Sequence, residues 1–200
     1  MSLSTKPQGD IDRIISFWFD AEDPISRWFK ASPEVDAQCK DLFGGLIEQA
    51  RLSQLKSWTE TPKGTLATLL LLDQFPRNVF RGSALSFSSD SMASDIAVQA
   101  IAKGQDRAVP LMQQAFFYLP LEHDESLIAQ VAAVSMFEQL SHRCDPESAE
   151  GKFAKTGLAF AERHRGIIMR FGRFPGRNAA LGRESTAEEV DFLKESPSGL

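Results

Sequence analysis

The segment TPKGTLATLLLLDQFPRN, residues 61–78, decides the fold. Thr61 can cap a helix N-terminus and Pro62 suits the first helical position, so we predict a helix that begins here. The five leucines between residues 66 and 72 point in every direction around a helix, which predicts an element buried on most sides. Pro76 disfavours helix at the residue before it, so we expect the helix to end there.

The rest of the chain continues the helical pattern. Ser32-Pro33 repeats the same start signal, and residues 126–141 form an amphipathic helical pattern. A long helix is predicted from about Glu147 to Arg170, and the capping box Ser185–Glu188 predicts a short terminal helix. No five-residue segment alternates like a strand. The sequence therefore predicts an all-α protein, a tetratricopeptide-like antiparallel helical array or an irregular bundle.

Composition restricts the class of protein. The 200 residues carry a formal charge of -5, which argues against nucleic-acid or membrane partners. The cysteines, Cys39 and Cys144, lack metal-ligand spacing and fit a reducing compartment. Residues 1–10 lack an apolar signal core, and the apolar run at 66–72 is far shorter than the ~20 residues that a bilayer requires. We predict a soluble, cytoplasmic protein with a flexible tail, residues 1–10, and one helical domain, residues 11–195.

One motif occurs twice. The leucine-rich helix leads into DQFPRN (residues 73–78), and the last long helix leads into RFPGRN (residues 173–178). We call residues 73–82 the first corner and residues 173–183 the second corner. Asparagine and proline suit such turns, while each arginine keeps its donors free. Antiparallel packing of the helices is expected to bring the two corners together.

Arginine is concentrated near the second corner. Residues 163–183 hold six arginines and no lysine, aspartate or glutamate, so the remainder of the chain carries -5 - 6 = -11. Forked guanidinium groups favour carboxylate or phosphate ligands. The alternative is a solvated face with internal salt bridges, with Asp73 as a structural counter-ion. The predicted ligand-binding residues are Asp73, Arg77, Asn78, Arg81, His164, Arg170, Arg173, Arg177, Asn178 and Arg183.

Titratable groups are densest at residues 121–125, which we expect at a helix entrance after Pro120. Acids there can simply stabilise the helix dipole, but Glu122 and His123 exceed what a cap requires, so both are candidate catalytic acid/base residues. His164 lies on an apolar helix face, either as a core imidazole or as their partner. Glu122, His123 and His164 could form a metal site, but no known ligand spacing is present. We therefore predict no metal and no cofactor.

Four segments resemble a known family. They are LLLDQFPRNVFRG (residues 70–82), YLPLEHDES (118–126), RFGRFPGRNAALGR (170–183) and STAEEVDFL (185–193). These segments closely resemble the domain-of-unknown-function 924 family, and the resemblance extends over nearly the whole chain. It implies a tetratricopeptide-like all-α fold and no established activity. The family commonly has histidine between the proline and arginine of the second corner, where this chain has Gly176.

Three functions follow from these patterns. The first is a binding scaffold whose arginine-lined pocket takes an anionic small molecule or an acidic protein segment. The second is an enzyme acting on a phosphorylated or carboxylated small molecule, with Glu122 or His123 handling a proton. The third is a structural partner protein whose arginines are internal salt-bridge donors. Burial and pairing of the arginines distinguish the three.

Overall fold

The computed structural model describes residues 7–196 and residue 199. Within these residues the chain is all-α and contains no β-strand, as predicted. The tetratricopeptide-like arrangement stays a prediction. The helices are α1 (Pro7–Phe19), α2 (Pro24–Phe29), α3 (Pro33–Arg51), α4 (Pro62–Leu69), α5 (Phe75–Val79), α6 (Asp90–Ala102), α7 (Leu111–Glu122), α8 (Leu127–His142), α9 (Ala149–Phe171), α10 (Asn178–Leu181) and α11 (Ala187–Glu195).

The leucine-rich segment is the centre of the molecule. Its leucines, Leu66 and Leu69–Leu72, are buried as predicted. The expectation that Pro76 ends this helix is wrong, because α4 continues through a π-helical turn, Leu70–Gln74, into α5. In that turn the N–H of Phe75 donates to the carbonyl of Leu70, five residues back. Pro76 thereby enters at the start of α5, where its missing N–H costs little.

Aromatic rings pack the central core around α5. The ring of Phe75 lies 5.1 Å from that of Trp18 on α1 and 5.2 Å from that of Phe43 on α3. Phe116 on α7 extends the cluster, with its centroid 6.4 Å from that of Trp18. All four side chains are buried. Their contacts fix α1, α3 and α7 around the leucine-rich helix, so the first corner is held in a rigid frame.

Helix α7 includes the proline after which we expected a helix entrance. Pro120 lies inside it, and the helix ends at Glu122. The proline costs the helix one hydrogen bond, the one that its N–H would donate to the carbonyl four residues back, and the helix ends two residues later. Glu122 and His123 therefore lie at a helix C-terminus, and the prediction of a helix entrance at this position is wrong. The next helix, α8, begins at Leu127 with Ser126 as its N-cap.

The predicted start signals behave as expected in two places and differ in a third. The hydroxyls of Ser32 and Thr61 accept from backbone N–H groups and cap α3 and α4. At α11 the capping box is Thr186 with Glu189, one residue later than predicted. The reason is that the Ser185 hydroxyl accepts a hydrogen bond from the Asn178 side chain instead.

The first and last helices extend the described fold at either end. Helix α1 starts at Pro7, so residues 7–10 are helical and only residues 1–6 of the expected tail lie outside the described residues. A small second core forms around Ile167, Ile168 and Phe174, with Phe192 of α11 packed against it. Among the helices of the described residues, none combines the length and apolar character that a membrane crossing needs.

Candidate active site

The two corners meet at one carboxylate. Asp90, at the start of α6, accepts from Arg77 of the first corner through both of its oxygens, at 3.0 and 2.9 Å. It also accepts from Arg177 of the second corner at 3.1 Å. Arg177 donates in addition to the backbone carbonyl of His123 at 2.8 Å. Two segments that are 100 positions apart in the sequence are therefore joined through Asp90, which sequence reasoning did not single out.

The guanidinium group of Arg177 lies between two aromatic rings. Its central carbon is 4.7 Å from the ring centroid of Phe87 and 4.5 Å from that of Phe174. Cation–π contact and stacking suit a planar guanidinium group in this position. Burial, and then the charge of Arg77, lower the pKa of Arg177 to about 10. The group is charged at neutral pH and is held firmly in place.

Asp73, the first residue of the first corner, orients His123. Its carboxylate accepts from Nδ1 of His123 at 2.7 Å and from the Gln74 amide at 2.5 Å, and it lies 3.2 Å from Arg77. Burial favours a raised pKa, but Arg77 and then His123 outweigh it and hold the pKa of Asp73 below its ordinary value. Because Asp73 is an anion, Nδ1 of His123 carries the hydrogen, and Nε2 keeps a free electron pair.

A second histidine is oriented on the opposite side. Nδ1 of His164 lies 2.8 Å from the backbone carbonyl of Phe160 and 3.1 Å from Oε1 of Glu122. A carbonyl can only accept, so Nδ1 of His164 also carries the hydrogen and its Nε2 is also free. Burial is the largest cause that lowers the pKa of His164, to about 3. The ring is therefore neutral at neutral pH.

Glu122 is the least satisfied group of the site. Only 3% of the residue is exposed, and its Oε2 atom is buried with no hydrogen-bond partner among the described residues. Burial, and then the charge of Asp73, raise the pKa of Glu122 to about 8. At neutral pH this carboxyl keeps its proton most of the time. A buried carboxyl without full hydrogen bonding destabilises a fold, so its presence calls for a function.

Gln130 on α8 fixes the turn that presents these groups. Its side-chain amide donates to the carbonyls of Glu122 and Asp124, both at 2.7 Å. The side chain is completely buried, and the bonds tie the end of α7 to α8. Asp124 caps the turn by accepting from the N–H of Ser126. Nothing in the sequence pattern of α8 indicated this role, because a glutamine in an amphipathic helix is usually a surface residue.

We call these charged and titratable residues the polar cluster. Its members are Asp73, Arg77, Asp90, Glu122, His123, His164 and Arg177. The cluster opens to solvent mainly on the side of His123 and Arg77, whose side chains are 16% and 21% exposed. Its two arginines are balanced by two aspartates. The donor atoms of Glu122, His123 and His164 all lie within 4.8 Å of one another, so these are the residues that could hold a metal ion.

The remaining predicted ligand-binding residues lie outside the polar cluster and are paired with acids. Arg81 and Asn78 both donate to Asp36 on α3, at 2.8 to 2.9 Å. Arg183 forms a two-bond pair with Glu125, at 2.7 and 2.9 Å. These guanidinium groups carry internal salt bridges. The structure does not gather them around one opening, and the anion-binding interpretation gains no support from them.

The arginines beside α11 are paired in the same way. Arg173 donates twice to Glu189, at 2.6 and 2.8 Å, and Asn178 donates to the same carboxylate. Arg170 donates to Glu188 at 2.8 Å. Glu189 also accepts from the N–H of Thr186 in the capping box. These bonds fasten α11 to the second corner, so Glu189 is a structural anchor.

We expect Glu189→Gln to lower the free energy of unfolding by about 1–2 kcal/mol at pH 7, because Arg173 loses its charged partner. The loss is no larger, since Arg173 is partly exposed and solvent screens the pair. Hydrogen bonding from Arg173 lowers the pKa of Glu189 to about 2 against burial. Because the pKa is lowered on folding, ionised Glu189 stabilises the fold at any pH above its ordinary pKa of 4.5. This stabilisation is lost as the pH falls toward 2.

Urea unfolding of both proteins from pH 7 to pH 2.5 should show that the difference between their free energies of unfolding becomes smaller. Glu188→Gln, at an exposed pair on the same helix, is the control and should change stability by less than about 0.5 kcal/mol. A Glu189→Gln difference that stays constant with pH would contradict this assignment.

Comparisons with known proteins identify relatives and name no activity. The profile of a family described as "Bacterial protein of unknown function (DUF924)" matches residues 14–197. A solved structure, the "Protein of Unknown Function ATU0120 from Agrobacterium tumefaciens", is similar with a TM-score of 0.84 and 37% sequence identity. The similarity covers 95% of this chain and 99% of that one. No curated protein matches the chain. The solved structure shares the fold of this chain, and neither match names a reaction.

Proposed function

This chain belongs to the DUF924 family of bacterial proteins, and we propose that it is an enzyme whose active site is the polar cluster. The observation that carries the proposal is the buried carboxyl of Glu122, which has one oxygen without a partner beside two oriented imidazoles. A residue kept for stability alone would be fully hydrogen bonded or apolar. Groups that cost stability are typical of active sites.

The geometry suits acid–base chemistry of the hydrolytic type. His123 is partly exposed, and Asp73 orients its ring so that Nε2 can accept a proton from a nucleophile such as water. Glu122 lies deeper, where burial favours the protonated carboxyl, and it can donate a proton to a leaving group. Arg77 and Arg177 lie beside the same site, but Asp73 and Asp90 balance their charges, so the two arginines do not by themselves select an anionic substrate. The arginine-lined anion pocket has less support, because the corner arginines already bind carboxylates.

Stability alone tests part of this proposal. We expect Glu122→Gln to leave the free energy of unfolding unchanged or to raise it by about 1 kcal/mol, because the amide is neutral in the same volume and no longer has to be kept from ionising. Chemical denaturation of the two proteins measures the difference. A loss of more than about 2 kcal/mol would instead make Glu122 a structural partner of His164. His164→Gln provides the comparison, since it removes the other member of the pair.

Turnover tests the rest. The purified protein should be assayed on chromogenic carboxylic and phosphoric esters and on a cell extract followed by mass spectrometry, both with and without added divalent ions. We expect Glu122→Gln and His123→Asn to reduce the observed turnover by about 10²–10⁴-fold. His142→Asn, at an exposed histidine ending α8, is the control and should leave turnover unchanged. Turnover that persists in both cluster variants, or its absence from the intact protein, would refute the proposal.

A further inference from the structure

Proton transfer does not account for His164. His123 supplies a general base and Glu122 a general acid. A second imidazole, that of His164, lies beside them, and its ring is also held in one orientation by a hydrogen bond. The centroids of the two histidine rings are 6.2 Å apart. A core imidazole with a purely structural role would form hydrogen bonds through both nitrogens, or would pack as a neutral ring at the edge of the core. His164 bonds only through Nδ1 among the described residues, although it is buried.

Among the described residues, no hydrogen-bond partner is found for Nε2 of either histidine or for Oε2 of Glu122. Nδ1 of His123 donates to Asp73, and Nδ1 of His164 donates to Phe160, which leaves Nε2 of each ring as an acceptor. Oε2 of Glu122 is buried without a hydrogen bond in the described part of the chain. One possible ligand atom from each of Glu122, His123 and His164 lies within 4.8 Å of the other two. That is an arrangement suited to a cation.

We propose that Glu122, His123 and His164 bind one divalent transition-metal ion. Two imidazole nitrogens and one carboxylate oxygen form a ligand set typical of Zn²⁺ and Fe²⁺, and three protein ligands leave coordination positions open for substrate. Donors that are now within 4.8 Å must draw in to about 3.4 Å, the edge of a tetrahedron with bonds of about 2.1 Å. His123 is partly exposed, so its side chain can make this adjustment.

The surroundings fit a bound ion. Each histidine donates its other ring N–H to a carboxylate or a backbone carbonyl, the arrangement that orients metal-binding histidines in general. The charges of Arg77 and Arg177 are balanced by Asp73 and Asp90, so they do not leave a net repulsion at the site. The inference rests on the proposed function for the location of the active site. Binding would displace the proton of Glu122 and make both Glu122 and His123 ligands, so the ion, and not these two residues, would activate the substrate.

The test is metal binding by protein that carries no histidine tag. Titration calorimetry with Zn²⁺ and the visible absorption of added Co²⁺ report binding without any substrate. We expect one equivalent bound by the intact protein and by His142→Ala, the matched control at the histidine outside the cluster. Glu122→Gln and His123→Ala should each lose at least 100-fold in affinity. Circular dichroism and thermal melts establish that both variants fold, and His123→Ala, at a partly exposed position, is the safer of the two.

Two results would overturn the metal site. One is the absence of stoichiometric Zn²⁺ and Co²⁺ binding by the intact protein, and the other is binding that His123→Ala leaves unchanged. Either result is separable from failure of the proposed function. Turnover in chelator-treated protein that still depends on Glu122 would retain the enzyme and remove the ion. Stoichiometric, cluster-dependent binding without turnover of any substrate would retain the ion and remove the acid–base enzyme.

Discussion

Asp90→Ala is expected to lower the free energy of unfolding by about 3–5 kcal/mol, because it leaves a buried guanidinium group without a carboxylate. Asp90 is the carboxylate that joins Arg77 to Arg177, and it accepts hydrogen bonds from both. Arg77 retains Asp73 after the change. Of its hydrogen-bond acceptors in the described part of the chain, Arg177 then retains the carbonyl of His123, between the rings that hold it in place. Urea unfolding of the purified variant measures the loss.

Two further variants make this result specific. Asp95→Ala removes an exposed acid from the same helix and should change stability by less than about 0.5 kcal/mol. The double variant Asp90→Ala, Arg177→Met removes both partners and places an apolar side chain between Phe87 and Phe174, so it should recover much of the loss. If the double variant is as unstable as Asp90→Ala alone, the carboxylate matters for packing at the start of α6 and the pairing argument is wrong.

Local signals made much of the fold predictable. Ser32 and Thr61 each precede a proline, and both cap helices as expected because capping involves only neighbouring backbone groups. The leucines of the central helix point to all of its sides, so they can be buried only if other elements surround the helix, and they are buried. The passage through Pro76 was not predictable. It depends on a π-helical turn that tertiary packing holds in place, and proline statistics alone favour a break.

Six of the seven residues of the polar cluster were singled out from the sequence, but Asp90 and the bonds within the cluster were not. Glu122, His123 and His164 stood out because capping and amphipathicity did not require them, and the structure brings these three together. The partner of each arginine could not be inferred, since 27 acidic residues compete for them and the choice is made by contacts up to 87 positions apart. Asp90 is the clearest example. Within the sequence it is only an acid at the end of a serine-rich loop, and its role depends on both corners arriving beside it.

Asp73→Ala should destabilise the protein by about 3–5 kcal/mol and should also free the ring of His123. Asp73 is 1% exposed and holds His123, Gln74 and Arg77 through its two oxygens. Without the carboxylate, Nδ1 of His123 loses its acceptor, so the tautomer with the hydrogen on Nε2 becomes accessible. Nitrogen NMR of labelled protein distinguishes the tautomers directly. Affinity for Zn²⁺ should fall by about 10–100-fold, as expected when the partner of a metal-binding histidine is removed.

Asp73→Asn separates the charge of this residue from its hydrogen bonds. The amide oxygen can still accept from His123 and Arg77 if its nitrogen turns toward Gln74, whose own amide can rotate to accept. We therefore expect a smaller loss of about 1–2 kcal/mol and an unchanged tautomer, because one hydrogen-bonding arrangement survives. Gln74→Ala, which removes only the bond to the second oxygen, should leave the tautomer unchanged as well. If Asp73→Ala also leaves Nδ1 protonated, then Asp73 does not orient His123. In that case packing alone holds the ring. The buried carboxylate of Asp73 then pairs with Arg77 and has no role in the chemistry.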